Sequence, residues 1–479
     1  MTRDYHAKLT SVTLDGFKGF EHASVSLGGF SVIVGTNGSG KSNLFDAMRF
    51  LHGISRGYTI AEALGEKWSI GGSLDWEGIR GGTREVTFCG TDRFAIEVGI
   101  SIGRRVIRAC GKETYDADEG LEIGDVAADD GTGNELGCDG YREDFSYRLE
   151  VKRDFNGSFV VASEKLVNEN TGQFVFDTHP PDDPLGQTAD PNYFAIRTNL
   201  GPKTNGMKPS DVLTVEAARP FLAVWGNPAH AGPVGRSALT VFALLPPSVQ
   251  GVLLAIQSMR FFELLPDALR TPSTPGHMLL SDCGANLSSV LQGICADEQK
   301  RAALCHWITA LTPMDVVDFE FIDDASGRVV FTLVDRKGDR ISSNSASGGT
   351  LRLLALLSIF ITDEPPSMCF FEDVDAGFHP TRLHLLTGLI ENRARDGETQ
   401  VIATTHSPQI LAFLSKQAVE DAVIAYRLES DRSQSLRKLC EIPDARRLVS
   451  EGSLARLFSS GWFESTILFL QDSDESCEM

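Results

Sequence analysis

Apolar and polar positions alternate along the start of the chain as they do in strands, in Leu9–Leu14 and Ala23–Leu27, and then run continuously apolar in Phe30–Val34. A run of that last kind is expected of a strand buried on both faces of a sheet. A glycine-rich turn follows. From about Lys41 to His52 the spacing becomes helical, with Leu44, Phe45, Met48 and Leu51 on one face. Residues 84–110 and 145–178 alternate again (Glu85–Phe88, Phe94–Val98, Phe145–Leu149), predicting a small antiparallel sheet split by an acidic loop. Helical periodicity returns in Val249, Val252, Leu253 and Ile256 and in Leu287, Val290, Leu291 and Ile294. Strands are predicted at Phe319–Ile322 and Val329–Val334, a helix at Leu351–Ile361, and an apolar strand at Met368–Phe371. A helix at Pro380–Arg393 and an apolar strand at Val401–Thr405 follow. Strands alternating with helices at this spacing imply a parallel sheet with crossover helices, an α/β fold.

The stretch 180–235 is rich in Pro, Gly, Asn and Asp and has no clear period, and 236–312 reads as mostly helical. Without sustained heptads, long coiled-coil arms are not expected. The chain therefore divides into an N-terminal half with the antiparallel β-subdomain (1–180), a mostly helical insertion (181–315), a C-terminal half (316–430) and a tail (431–479).

Composition changes this picture in three places. Of the 479 residues 42% are hydrophobic, as in an ordinary folded protein, while the net charge of −21 counts against a surface that grips nucleic acid throughout. A local basic strip from Lys152, Arg153, Lys203 and Lys208 stays open. Part of the acidity sits in Glu113–Asp144, a Gly- and Asp-rich segment read as a solvated loop. The nine cysteines are scattered, without a CxxC pair, and are expected to be reduced thiols. The longest apolar region, Ala238–Ile256, is broken by Pro246, Pro247 and Gln250. Neither a membrane span nor a signal peptide is expected, which implies a cytoplasmic protein.

The chemistry is concentrated in three short segments. Gly35-Thr-Asn-Gly-Ser-Gly-Lys41-Ser42 matches G-x-x-x-x-G-K-[ST], and it lies between an apolar strand and an amphipathic helix, where a phosphate-binding loop must lie. The backbone of Gly35, Asn37, Gly38, Ser39 and Gly40 can curl so that N–H groups converge on phosphate oxygens, and the helix opening through Asn43 adds its positive end. Lys41 would reach the β- and γ-phosphates of a nucleotide, and the Ser42 hydroxyl would ligate Mg²⁺; the loop alone leaves the class of NTPase open. The strand Met368–Phe371 ends in Glu372-Asp373, which delivers two carboxylates to the edge beside that loop. One can hold Mg²⁺ and the other can orient the attacking water, although paired acids after a strand also serve as helix caps. The strand Val401–Thr405 ends in His406-Ser407-Pro408, so His406 points to the same edge.

Together with Ser347-Gly348-Gly349 ahead of a helix, these pieces resemble ABC-type ATPases, and within them the SMC/RecF/OLD-like branch, including RecF-like bacterial AAA family ATPases. Glu372-Asp-Val-Asp-Ala-Gly-Phe-His-Pro380 follows that branch's acidic strand, and Lys18 and Phe20 match its N-terminal strand turn. Leu279-Leu-Ser-Asp-Cys-Gly-Ala-Asn-Leu287 and Glu451-Gly-Ser-Leu…Ser460-Gly-Trp462 look like segments of a bacterial subgroup of similar length. The resemblance implies that Ser347, Gly348 and Gly349 contact ATP held by a second copy, in a head-to-tail homodimer or an oligomer of such dimers. It implies that Glu372 is the Mg²⁺-associated acid, Asp373 the catalytic carboxylate, Asp375 part of the inter-subunit loop and His406 the switch histidine. Three departures stand out. Asp373 replaces the usual glutamate, Thr350 follows the signature glycines in place of glutamine, and no glutamine precedes Gln173, so the usual phosphate-sensing glutamine is missing. Trp76-Glu-Gly-Ile-Arg80 is where a substitute would be sought.

The implied activity is ATP hydrolysis. The leading setting is the sensor or scaffold ATPase of an anti-phage defence system that works with a separate effector such as a nuclease. A DNA repair or maintenance ATPase that clamps DNA, and a structural clamp that seldom turns over, are the alternatives. A transporter ATPase fits least, given the size of the insertion between Lys41 and Ser347.

Overall fold

The computed structural model describes residues 7–69, 71–103, 142–178, 193–198, 212–216, 219–226, 247–363, 365–395, 397, 399–428 and 432–442. In chain order the first elements are β1 (Ala7–Phe17), β2 (Phe20–Ser26), β3 (Phe30–Val34), α1 (Lys41–Ser55), α2 (Ile60–Leu64), β4 (Lys67–Trp68) and β5 (Leu74–Trp76). Six strands follow: β6 (Arg93–Gly103), β7 (Arg142–Arg153), β8 (Phe159–Asn168), β9 (Gln173–Asp177), β10 (Tyr193–Thr198) and β11 (Val212–Glu216). Next come α3 (Phe221–Gly226), α4 (Pro247–Gln257), β12 (Met259–Phe262), α5 (Pro266–Leu269), α6 (Leu287–Cys295) and α7 (Glu298–Leu311). The remainder is β13 (Val316–Asp323), β14 (Val329–Asp335), β15 (Arg340–Ser342), α8 (Gly348–Phe360), β16 (Met368–Phe371), α9 (Leu383–Arg395), β17 (Gln400–Thr405), α10 (Lys416–Glu420), β18 (Val423–Arg427) and β19 (Gln434–Lys438).

Contacts divide the chain into two units, one of Met1–Ser24 with Asn43–Ser258 and one of Val25–Ser42 with Met259–Met479. These cuts do not follow the linear segments expected above, because a strand's unit is set by what it pairs with, not by its place in the chain.

The first unit is built on an antiparallel sheet in the order β11-β10-β9-β8-β7-β6-β1-β2. Leu9, Val12, Leu14 and Phe17 of β1 are fully buried, as are Ile96 and Val98 of β6. The alternation read from the sequence is therefore the two faces of this sheet. Phe94 anchors an aromatic cluster, edge-on to Phe17 at 5.5 Å, Phe50 at 5.7 Å and Phe159 at 5.9 Å. The predicted strand Glu85–Phe88 is reduced to one bridge, Phe17 to Thr87. Of the acidic segment, 113–141 lies outside the described residues, and Arg142–Asp144 opens β7.

The second unit carries the parallel sheet, in the order β12-β16-β17-β3-β18-β19. All pairs are parallel except β18 with β19. Every residue of β3, β16 and β17 is buried, which explains why these strands are largely apolar on both faces. The stretch expected to be mostly helical does hold α4, α6 and α7, and it also holds β12, which pairs with β16 from Met259↔Met368 to Phe262↔Phe371. Phe261 stacks on Phe370 at 4.8 Å and Phe262 on Phe371 at 5.1 Å. The helix predicted from Pro380 begins as a short 3₁₀ turn, Pro380–Arg382, before α9. A three-stranded antiparallel sheet, β13-β14-β15, packs in the same unit. No helix among the described residues is long and apolar enough to cross a membrane.

Candidate functional site

Strand order decides which side chains meet. β17 lies between β16 and β3, so the tip of β17 stands between the acids that end β16 and the phosphate loop that follows β3. Phe371 is level with Ala403, whereas Thr405 is level with Val34. β17 thus runs two residues past β16, and its Thr404 and Thr405 flank the acidic turn.

The loop after β3 is shaped for close backbone approach. Gly38 and Gly40 have φ of +80° and +101°, values that favour glycine. At Gly35 an added Cβ would come 2.4 Å from the Ala425 carbonyl and 2.5 Å from Ser39 Oγ. Gln434 on β19 donates to the Gly38 carbonyl at 2.9 Å, a support that no motif announces. Ser39 Oγ is buried without a protein partner, an orphaned polar group in the cradle.

Lys41 is buried and donates to the carbonyls of Gly35 (2.6 Å) and Thr36 (2.9 Å) and to His406 Nδ1 (3.1 Å). An ammonium has no acceptor, so Nδ1 must accept, which places the imidazole proton on Nε2. That nitrogen lies 3.2 Å from Asp373 Oδ1, within ion-pair distance. The result is one chain of contacts, Lys41 to His406 to Asp373. Burial holds the Lys41 ammonium below its ordinary pKa, and the Asp373 charge opposes that shift.

Asp373 itself sits at φ +48°, a left-handed conformation that costs a non-glycine residue on the order of 1–3 kcal/mol. Its N–H donates to Thr404 Oγ1 at 3.1 Å, and its carbonyl accepts from Ala376 N–H at 2.9 Å. Asp375 accepts from Thr405 Oγ1 at 2.6 Å, and Thr405 Oγ1 accepts from Ser407 N–H at 2.9 Å. Burial raises the Asp375 pKa, with the Thr405 hydrogen bond working against it. The signal for these threonines was present in Thr404-Thr405-His406, two hydroxyls closing an otherwise apolar strand. Glu372 and Asp373 also line a small cavity with Glu263, Leu264, Leu265, Arg352 and Phe378.

Ser347 is exposed and caps α8: its Oγ accepts from Thr350 N–H at 3.1 Å and lies 2.8 Å from Thr350 Oγ1. Gly349 packs on the loop after Asp373, where a Cβ would come 2.2 Å from the Gly377 carbonyl. The structure therefore groups Lys41, His406, Asp373 and Asp375, and places Gly349 beside the same acidic loop, while Gly348 faces Pro266. Asn37 is exposed, whereas Ser42 and Asn43 at the start of α1 are half-buried. In the first unit, Lys18 bonds Asp46 and donates to the Arg80 carbonyl at 2.7 Å, and Arg80 Nε lies 3.2 Å from both Asp46 oxygens. Trp76 donates to the Ala63 carbonyl at 3.1 Å. Trp76 and Arg80 are thus engaged within their own unit. Of the basic strip left open above, Arg153 is bonded to the Thr83 and Gly157 carbonyls, and Lys203 and Lys208 lie outside the described residues, as does 451–462.

The donor set fits a magnesium nucleotide. Positive-φ glycines, a helix N-terminus and a buried ammonium suit phosphates, and the Ser42 hydroxyl and Glu372 carboxylate are hard oxygen donors of the kind Mg²⁺ takes alongside phosphate and water.

A protein-family model described as "AAA domain, putative AbiEii toxin, Type IV TA system" matches residues 30–107 and 290–412. That is less than half of the chain, and it takes in Gly35–Asn43, Ser347–Gly349, Glu372, Asp373, Asp375 and His406. No curated protein matches. Among solved structures, the chain is similar to an SmcHead bound to the C-winged helix domain of ScpA, with 14% identity, 90% of this chain and 97% of that chain covered, and a TM-score of 0.42. It is similar to an SMC head domain from Thermotoga maritima (13%, 90% and 98%, TM-score 0.36). A third likeness is to an Smc head domain with an extended coiled coil bound to the C-terminal domain of ScpA, from Pyrococcus furiosus (13%, 93% and 99%, TM-score 0.40). At these TM-scores the likeness carries no argument about activity or partners.

Proposed function

We propose that this chain, an ABC-type, SMC-like P-loop ATPase, binds ATP with Mg²⁺ and hydrolyses it to ADP and phosphate in a head-to-tail homodimer. The observation that carries this reading is the contact chain Lys41–His406–Asp373, which gathers a phosphate-binding cation, a polar switch and a carboxylate at the C-terminal edge of one parallel sheet. Gly35–Ser42 cradle the phosphates. Bound Mg²⁺, held by Ser42 and Glu372, would neutralise charge on the phosphate oxygens. Asp373 orients the attacking water and draws on its proton, and His406 positions that carboxylate through Nε2. Such catalysis is mainly placement and charge stabilisation. Ser347, Gly348 and Gly349 offer an exposed helix N-terminus, a second anion site, to nucleotide on the partner copy, and Asp375 belongs to the loop joining the two sites.

The test is ATPase rate per chain against protein concentration. A shared site requires the rate per chain to rise as dimers form and Ser347→Arg to abolish that rise. A concentration-independent rate unaffected by Ser347→Arg would reduce the chain to a generic P-loop protein.

For the biological role, the toxin–antitoxin wording of the matching family favours a defence setting, where a separate effector such as a nuclease would act with this chain, and the net charge of −21 counts against a DNA clamp. A rarely hydrolysing clamp is the second reading. It is favoured by the short Asp373 side chain, whose carboxylate is already engaged by His406 at 3.2 Å.

A further inference from the structure

The segment Leu279–Leu287, which the phosphate chemistry leaves unused, folds as a buckle. Arg260 Nη2 donates to the Asp282 carboxylate at 2.8 Å and to the Leu280 carbonyl at 2.7 Å, while the Asp282 carbonyl accepts from Glu263 N–H at 3.1 Å. Asn286 closes the loop, accepting from Ser281 N–H at 2.8 Å and donating to the Leu279 carbonyl at 2.9 Å. Gly284 has φ +78°, a conformation that favours glycine, and it packs against Leu269 of α5, whose Cδ2 would lie 2.3 Å from a Cβ there.

What the buckle holds is the strap 263–270, and the strap grips the start of α8 at three points. Arg352 Nε donates to the Leu264 carbonyl at 2.9 Å. Pro266 Cγ lies 3.1 Å from where a Cβ on Gly348 would be. Arg270 Nη2 donates to the carbonyl of Ala346 at 3.0 Å, and Nη1 lies 3.3 Å from the exposed Asp267 carboxylate.

That last bond has a directional consequence. The Ala346 carbonyl and the Ser347 N–H belong to one planar trans peptide, so the two groups point in opposite directions. Pinning the oxygen to Arg270 aims the Ser347 N–H away from the strap. The guanidinium also makes the bond charge-assisted and polarises the peptide, which strengthens the N–H as a donor. Ala346 is buried and Ser347 exposed, so the pinned residue is inside and the residue that follows it is open to a second copy.

We propose that Arg270 is a positioning residue of the shared nucleotide site, orienting the Ser347 N–H toward the γ-phosphate of ATP held by a second copy. This rests on the shared-site reading above. It assigns the buckle a task that is performed in trans: a chain's Arg270 serves its partner's nucleotide, not its own.

Mixed dimers test it. A Lys41→Ala chain can donate only its signature, and a Ser347→Arg chain can contribute only its phosphate loop, so mixing the two leaves one complete site per heterodimer. Arg270→Ala on the Lys41→Ala chain is expected to lower the ATPase rate of the mixture about tenfold, the scale of one charge-assisted hydrogen bond. Arg270→Lys, which keeps one charged donor, is expected to recover most of it. The same Arg270→Ala on the Ser347→Arg chain, beside a signature already blocked, is expected to change the rate less than about twofold. Equal losses in both placements mean a general folding role, and no loss in either means no role at all; both overturn the proposal. If the parent pair fails to complement, the shared-site reading falls, and this inference with it.

Discussion

At the residue scale, the contact chain Lys41–His406–Asp373 makes Asp373 the point where nucleotide binding and turnover can be separated. Asp373→Asn keeps the size and the hydrogen-bonding capacity but removes the charge. It is expected to lower kcat about a hundredfold or more, the usual worth of a positioned acid or base, while ATP-dependent dimerisation survives; gel filtration and steady-state rates read the two separately. Turnover already negligible in the wild type would favour the clamp. A different residue governs pH dependence. Glu164 is fully buried and accepts from the Tyr147 hydroxyl at 2.8 Å, Phe221 N–H at 2.5 Å and Leu222 N–H at 3.0 Å, tying α3 to β7 and β8. Burial pushes its pKa from 4.5 up to about 7, with those three bonds pulling the other way. The folded state therefore binds this proton more tightly than the unfolded state, and stability falls as pH rises from about 4.5 through about 7, then levels off. The change is on the order of a few kcal/mol. Urea unfolding across that window should show the decline in the wild type and a flatter profile in Glu164→Gln.

At the scale of elements, two glycines on helices separate packing from propensity. Gly349, in the first turn of α8, meets the Gly377 carbonyl so closely that a Cβ would sit 2.2 Å away, against backbone that cannot turn aside. Gly349→Ala is expected to cost about 1–3 kcal/mol and to separate the start of α8 from the acidic loop, lowering ATPase activity together with stability. Gly388, in α9, has nothing within 4 Å of the same test position. Gly388→Ala is expected to stabilise by about 0.5–1 kcal/mol and to leave turnover unchanged. Thermal unfolding and ATPase rates on the two variants check both. Opposite signs are the prediction, and a neutral Gly349→Ala would mean that the contact between α8 and the acidic loop is loose.

At the scale of the whole molecule, charge sets what the chain can hold. With a net charge of −21, and with Arg153 already bonded to the Thr83 and Gly157 carbonyls, ATP-loaded protein is expected to retain no duplex DNA at about 0.15 M salt, where phosphate contacts are steeply weakened. A filter-binding titration over salt checks this. Retention that persists, with a slope of several released counterions, would move the reading to the DNA-clamp alternative.

How much of this was legible depends on how local the information was. The phosphate loop, the strand Met368–Phe371 with its two acids, and the strand ending at Thr405 could all be read from sequence, because period, length and punctuation act within a few residues. A helix after Ser347-Gly348-Gly349 was legible for the same reason, though not that it opens at Gly348 with Ser347 as its cap. What sequence could not supply were pairings that exist only after distant segments meet. β12 is four residues long, Met259–Phe262, and is a strand only because β16 lies beside it. Gln434 reaches Gly38 across nearly the whole chain, and Arg270 reaches Ala346 through a buckle whose parts have no shared period. The sequence by itself singled out the groups to which the chemistry is assigned in the proposal. The order of strands in the parallel sheet, a matter of long-range burial and backbone pairing, decided that Lys41, His406 and Asp373 would touch.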